Sequence, residues 1–228
     1  MTSGGLPDRP YTPPDETTLG LVHEDPLFLA ADKPSGLLSV PGRGAGKTAS
    51  ALTYLEQRYG PLHVVHRLDM DTSGLILFAR SLEAARALSR LFQSRDVTKT
   101  YYAVVHGQPG REAGEITLPI GRDWAERPKR RIDRERGKPA LTHWQVEARL
   151  RDATCLQLQP HTGRTHQLRL HLSAIGHPIL GDRLYGQPDA ADRLLLHASG
   201  LSFRHPDSGE TVDIKAPPAF PEWAQSEK

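Results

Sequence analysis

Between Thr98 and Pro160 the chain contains TKTYYAVVHG, GEITLPI, ALTHWQVEARL and ATCLQLQP, four segments that alternate or run apolar between turn signals. Such runs are sheet segments, and this many in succession commit the middle of the chain to a sheet. The flanks add two predicted hairpins. LGLVHEDPLFLAADKP turns at Asp-Pro, and RLLLHASGLSFRHPDSGETVDIKAP turns at Asp207 to Gly209. SGLILFAR reads as a buried strand. Helices are expected at three places. TASALTYLEQRYG puts Leu52, Leu55 and Tyr59 on one face and stops at Gly60. Ser81 caps a second helix carrying Leu82, Ala85, Leu88 and Phe92. A third begins near Thr165, turns Leu168, Leu172 and Ile175 inward and ends at Gly176. The sum is a mixed α+β chain with a large sheet dominated by antiparallel neighbours.

Several function classes fall away at this point. At 228 residues the chain is one domain or a tightly joined pair. Its longest apolar runs are too short to cross a bilayer, and the N-terminus has no apolar signal region. The Pro- and Gly-rich residues 1–16 read as an extended or disordered arm. A single cysteine, Cys155, excludes an internal disulfide and fits a reducing cytoplasm. PGRGAGKTAS resembles a phosphate-binding loop, but its first required glycine is Pro41, which has no N–H to offer. The histidines show no H-E-x-x-H pattern, and the pair His166 and His171 sits roughly 140° apart on a helix. No metal is expected.

Net charge is 29 − 27 = +2, but it is unevenly spread. Arg122 to Lys138 holds eight basic and four acidic residues, 8 − 4 = +4. This is either a solvated, self-paired loop or a phosphate-facing segment in which Trp124 supplies a stacking surface. HRLDMDTSG, His66 to Gly74, likewise admits two readings. It is a turn capped by Asp69 or Asp71, or it holds an ionised aspartate for chemistry. In HTGRTHQLRLHL, Arg164 stands where unsatisfied helix N–H groups favour an anion, with Thr162 or Thr165 as the expected cap. Tyr101 and Tyr102 are adjacent on a strand and must face opposite sides.

Taken together, KPSG (Lys33 to Gly36), HRLDMDTSG, KTYYAVVHG, TGRTHQLRLHLSAIGHPILGD and LLLHA occur in the order of the RluA-type pseudouridine synthases. The chain resembles that family from about residue 18 to 220. The resemblance implies the pseudouridine synthase fold, a large mostly antiparallel mixed sheet flanked by helices with a central cleft. The implied catalytic domain is 17–228, with no S4 domain before it. The implied activity is cofactor-free isomerisation of uridine to pseudouridine in RNA. Asp69 matches the family's catalytic aspartate, Tyr101 its active-site tyrosine and Arg164 the arginine that pairs with that aspartate. The chain is more similar still to the short dual-specificity branch. It shares KPSGLLSVPGR and the Asp123, Trp124, Arg127, Pro128, Lys129 element with that branch, which acts on uridine 746 of 23S ribosomal RNA and uridine 32 of tRNA. The Arg-dense RRIDRER departs from the branch's pattern.

The implied chemistry explains the crowded charges. A carboxylate acting as nucleophile, or taking a ribose proton, must be ionised. Burial raises a carboxyl's pKa and a neighbouring guanidinium opposes that rise. The target base must leave its stack, and Arg67 is suited to fill the vacancy. RNA contacts are therefore expected from His66, Arg67, Trp124, Arg127 and Lys129. Arg130, Arg131, Thr165, His166 and Leu168 complete the expected RNA-binding set. The expected partner is structured RNA, 23S rRNA or tRNA stem-loops, bound by a cytoplasmic monomer. The alternative is a non-catalytic RNA-binding module, which would have no need of Asp69, Tyr101 and Arg164 together.

Overall fold

A computed structural model describes residues 10–44, 46–218 and 220. In chain order the elements begin with β1 (Gly20–Glu24), β2 (Phe28–Lys33), α1 (Ala51–Tyr59), β3 (His63–Val64), β4 (Ser73–Ala79) and α2 (Leu82–Ser94). They continue with β5 (Thr98–His106), β6 (Ala113–Ile116), β7 (Ile120–Arg122), β8 (Arg130–Ile132), β9 (Thr142–Arg149) and β10 (Ala153–Pro160). The last are α3 (Gln167–Ala174), β11 (Leu196–Arg204) and β12 (Thr211–Lys215). All strands except β7 and β8, which pair with each other, belong to one large sheet. The chain divides into two compact units. The first comprises Tyr11–Tyr101 with β11 and β12, and the second is built on Tyr102–Leu196. Among the described residues no helix is long and apolar enough to cross a membrane.

The first unit orders its strands β1-β2-β4-β11, with β12 on β11 and β3 on β4. β4 and β11 pair parallel, whereas β1–β2, β2–β4, β3–β4 and β11–β12 pair antiparallel. SGLILFA is apolar throughout because both its faces are covered. Leu75, Leu77 and Ala79 pack with Ala84, Ala85 and Leu88 of α2. Ile76 and Phe78 point the other way, to Ala51 and Leu55 of α1. Gly74 has φ of 109° and lies so close to β11 that a Cβ would meet Ala198 O at 2.2 Å. That approach explains why the HRLDMDTSG motif ends in glycine.

Local signals set the C-terminal end of α1 and the N-terminal end of α2 as expected. Ser81 Oγ accepts from Ala84 N, and Gly60 follows α1 with φ of 76°. One expectation fails on α2: Leu82 is 53% exposed. The buried stripe Ala84, Ala85, Leu88, Leu91 and Phe92 is centred about 120° from Leu82 at 100° per residue, so Leu82 lies off that face. Residues 1–9 of the expected arm lie outside the described residues. Its remainder is extended but held, since Tyr11 Oη donates to Ala49 O and accepts from Leu38 N, both at 3.0 Å.

In the second unit β10, β9 and β6 pair antiparallel, with a register shift between Cys155 and Leu156. GEITLPI, expected as one strand, divides into β6 and β7 around Thr117–Pro119. Pro119 cannot donate to a ladder, and Leu118 O is taken by His171 Nε2 at 2.8 Å. The β7–β8 hairpin rests on an apolar cluster of Ile120, Ile132, Ala140, Leu170 and Tyr185.

Candidate active site

In the first unit the segment carrying Asp69 is held by a series of backbone bonds. Thr72 N donates to Asp69 O at 3.1 Å, so the turn reading of HRLDMDTSG is correct as geometry. The residues on either side of Asp69 are then gripped by Lys33 to Ser39. Ser39 Oγ donates to Leu68 O at 2.8 Å and accepts from Leu68 N at 3.1 Å. Lys33 Nζ and Gly36 N both donate to Met70 O at 2.9 Å, and Ser35 Oγ donates to Asp71 O at 2.7 Å. Leu68 is buried in the apolar cluster while Arg67 is exposed. The main chain on both sides of Asp69 is thus fixed by Lys33 to Ser39.

Lys33 is the centre of this grip and is fully buried. Its ammonium also donates to Leu37 O at 2.7 Å and Pro34 O at 3.0 Å, so three donors meet three carbonyls. Burial draws its pKa down to about 7, opposed by the carboxylates of Asp71, Asp69 and Asp32. Tyr101 packs against the same apolar cluster. Burial, followed by the negative charge of Asp69, holds its phenol protonated far above the ordinary range. Tyr102 faces oppositely, its hydroxyl accepting from Gln157 Nε2 at 3.0 Å.

His66 has a different role from the RNA contact expected of it. Its Nε2 accepts from Leu77 N at 3.0 Å and its ring stacks on Phe92 at 4.4 Å. Burial, with a contribution from Lys99, lowers its pKa to about 3. Between that value and the ordinary 6.5 the unfolded chain binds a proton that the folded chain does not. Stability should therefore fall as pH drops through this window, by about 2 kcal/mol between pH 7 and 5 from this group. His66→Gln keeps an acceptor for Leu77 N and does not titrate, so it should lack that part of the loss. Denaturant unfolding at the two pH values measures it. Equal losses in both proteins would contradict the assignment.

In the second unit Arg164 stands two residues before His166, the residue that precedes α3. His166 has φ of 57° and no capping side-chain bond, so neither Thr162 nor Thr165 caps the helix as expected. Gln167 organises the turn instead. Its Oε1 accepts from Thr162 Oγ1 at 2.8 Å and Arg164 N at 3.0 Å. Its Nε2 donates to Leu141 O at 3.0 Å and Thr142 Oγ1 at 3.1 Å. Arg164 Nε donates to Pro139 O at 3.1 Å. Thr165 is exposed, but Leu168 is buried in a helix whose first six residues are all buried, and it has no face for RNA.

The basic run is also more ordered than expected. Arg130 and Arg131 lie in β8, not in a loop, because Gly121 and Arg122 of β7 pair with them. Trp124 on the connection is 63% exposed, with the guanidinium carbons of Arg127 and Arg122 at 4.6 and 5.4 Å from its ring. Self-pairing holds in part. Lys129 meets Glu126 at 2.6 Å and Arg131 meets Asp133 at 3.3 Å.

Comparison with known proteins shows the family of the chain. The model of the RNA pseudouridylate synthase family matches residues 28–174. The chain belongs to this family. It is 50% identical over 214 residues to the dual-specificity RNA pseudouridine synthase RluA of Pasteurella multocida, covering 92% of this chain and 98% of that one. The RluA of Escherichia coli K12 is 45% identical over the same shares. Human RNA pseudouridylate synthase domain containing 1 is structurally similar, with TM-score 0.77, 32% identity and coverage of 92% and 87%. Human domain containing 4 aligns with TM-score 0.71 at 26% identity, over 90% and 92% of the two chains. The protein is thus an RNA pseudouridine synthase, an isomerase.

Within this pseudouridine synthase, sequence reasoning missed Lys33, Ser35, Ser39 and Gln167. All four lie inside motifs it quoted. Lysine in an otherwise buried strand end was the one available signal, since a buried charge requires partners.

Proposed function

We propose that this pseudouridine synthase acts in the cytoplasm on uridines in loops of both ribosomal and transfer RNA, with Asp69 as its catalytic carboxylate. The grip of Lys33 to Ser39 on both neighbours of Asp69 carries the assignment, because it fixes the main chain that presents the carboxylate. Isomerisation breaks the N1–C1′ bond, turns the base, joins C5 to C1′ and moves the C5 proton away. The product has the atoms of the substrate, so the reaction consumes no other reactant. An ionised Asp69 attacks the substrate or removes a ribose proton. Tyr101, kept protonated, packs against the displaced uracil, and Arg164 is the further catalytic residue of this proposal. The dual-specificity relatives and the shared motifs support two RNA classes, of the uridine 746 and uridine 32 types. Pseudouridine mapping in 23S fragments and tRNA treated with purified protein tests this. Modification at both sites is the expected result, and bound but unmodified transcripts would favour a binding module.

The hairpin is the proposed phosphate contact, with Arg67 and Thr165 nearer the reacting base. Arg127 and Arg131 are exposed, and surface pairs such as Arg131 with Asp133 contribute little to stability. Replacing both with Gln should lower the slope of log affinity against log salt by roughly 1.4, at about 0.7 per single-stranded phosphate. Turnover at saturating RNA should stay near normal. An unchanged salt slope would remove the hairpin from the interface.

A further inference from the structure

Tyr185 belongs to none of the functional residues considered so far, yet it joins two of their elements. Its hydroxyl accepts from Arg130 N of β8 at 2.7 Å and lies 2.8 Å from His166 Nδ1. Arg130 N can only donate, so the hydroxyl oxygen is its acceptor, and the direction of the bond to His166 Nδ1 follows the imidazole tautomer. One hydroxyl thus bridges the hairpin bearing Trp124 and Arg127 to the residue two places after Arg164.

The bridge stands on a rigid base. Arg169 and Asp182 form a buried two-point ion pair, Nε to Oδ2 at 2.8 Å and Nη2 to Oδ1 at 2.7 Å. Asp182 Oδ1 further accepts from Leu184 N at 2.8 Å and Tyr185 N at 3.1 Å. Ser173 Oγ of α3 donates to Tyr185 O at 2.8 Å. The ring packs with Ile120 and Ile132 of the hairpin and Leu170 of α3, and Arg169 stands 5.6 Å over it. The ring therefore serves the core, while the hydroxyl sets the register between hairpin and turn.

We propose that Tyr185 is a positioning residue whose hydroxyl couples the Trp124 arm to the Arg164 turn, so that RNA seated on the arm is aligned for isomerisation. This rests on the hairpin being an RNA contact. Such coupling is energetic and is read by a double-mutant cycle, because effects of independent sites multiply whereas effects of coupled sites do not. Tyr185→Phe keeps the ring and its packing and removes only the hydroxyl.

The test measures kcat and KM on a tRNA anticodon stem-loop for wild type, Tyr185→Phe, Trp124→Ala and the double variant, well below each melting temperature. Tyr185→Phe should lower kcat about tenfold with KM changed less than threefold. Trp124→Ala should lower kcat/KM about tenfold, and the double variant should fall no further than either single one. A hundredfold loss in the double variant, a Tyr185→Phe enzyme within twofold of wild type, or a Trp124→Ala enzyme equal to wild type would each overturn the proposal. Should Tyr185→Phe fail to fold, His166→Asn enters the same cycle, since asparagine accepts the left-handed backbone but does not reach the hydroxyl. A wild-type protein that forms no pseudouridine in this RNA would refute the substrate reading itself, separately from the cycle.

Discussion

Asp69→Asn should abolish uridine isomerisation while RNA affinity stays within about tenfold, a difference of ~1.4 kcal/mol. The amide retains the shape of the carboxylate but has neither its charge nor its basicity, so it can neither attack the sugar nor accept a ribose proton. The backbone course of the turn is held by bonds to the neighbours of Asp69, which the substitution leaves in place. Leu68, Met70 and Asp71 are each held through their carbonyls by Ser39, Lys33 with Gly36, and Ser35. A loss of product without a loss of binding would therefore report on chemistry alone. Single-turnover formation of pseudouridine, with filter binding on the same transcript, gives both numbers. Appreciable residual isomerisation would show that another group is catalytic.

Lys33→Met should be the most damaging change away from the reacting groups. Methionine is close to lysine in length but leaves the carbonyls of Pro34 and Leu37 without the ammonium, while Met70 O keeps its bond from Gly36 N. An unsatisfied buried acceptor costs about 1–3 kcal/mol. Relief from burying the cation offsets part of that sum, so a net loss of about 2 kcal/mol is expected. Activity should fall further than unfolding explains, by about a hundredfold at a temperature where the variant is still folded, because displacement of a reacting group by about 1 Å is enough for that. Ser39→Ala removes only the bonds at Leu68 and should be intermediate in both respects. Thermal melts with single-turnover rates separate the two effects. A Lys33→Met enzyme that is destabilised but fully active when folded would make the grip a matter of stability alone.

How far the sequence could be read follows from the range of each interaction. The strand at Ser73–Ala79, the β11–β12 hairpin, the Ser81 cap and the Gly60 stop were all legible. So was the opposite facing of Tyr101 and Tyr102. Each rests on residues within a few positions, where backbone geometry leaves few alternatives. Asp69, Tyr101 and Arg164 were reached through motif resemblance, which identifies residues without saying what holds them. The periodicity of α2 was misjudged at Leu82, because spacing reports a shared face but not which faces are covered, whereas that of α3 turned Leu168 inward as found and so left the RNA contact expected of the same residue without a face. Tertiary structure alone decided that His66 serves Leu77 N, that RRI is a strand against β7, and that Gln167 rather than a threonine orders the turn at Arg164. It alone decided that KPSGLLS grips Asp69, with partners some thirty residues distant such as Ser39 and Leu68. A buried hydrogen-bonding group takes whatever partner folding brings to it, and that choice has no signature in the neighbouring sequence.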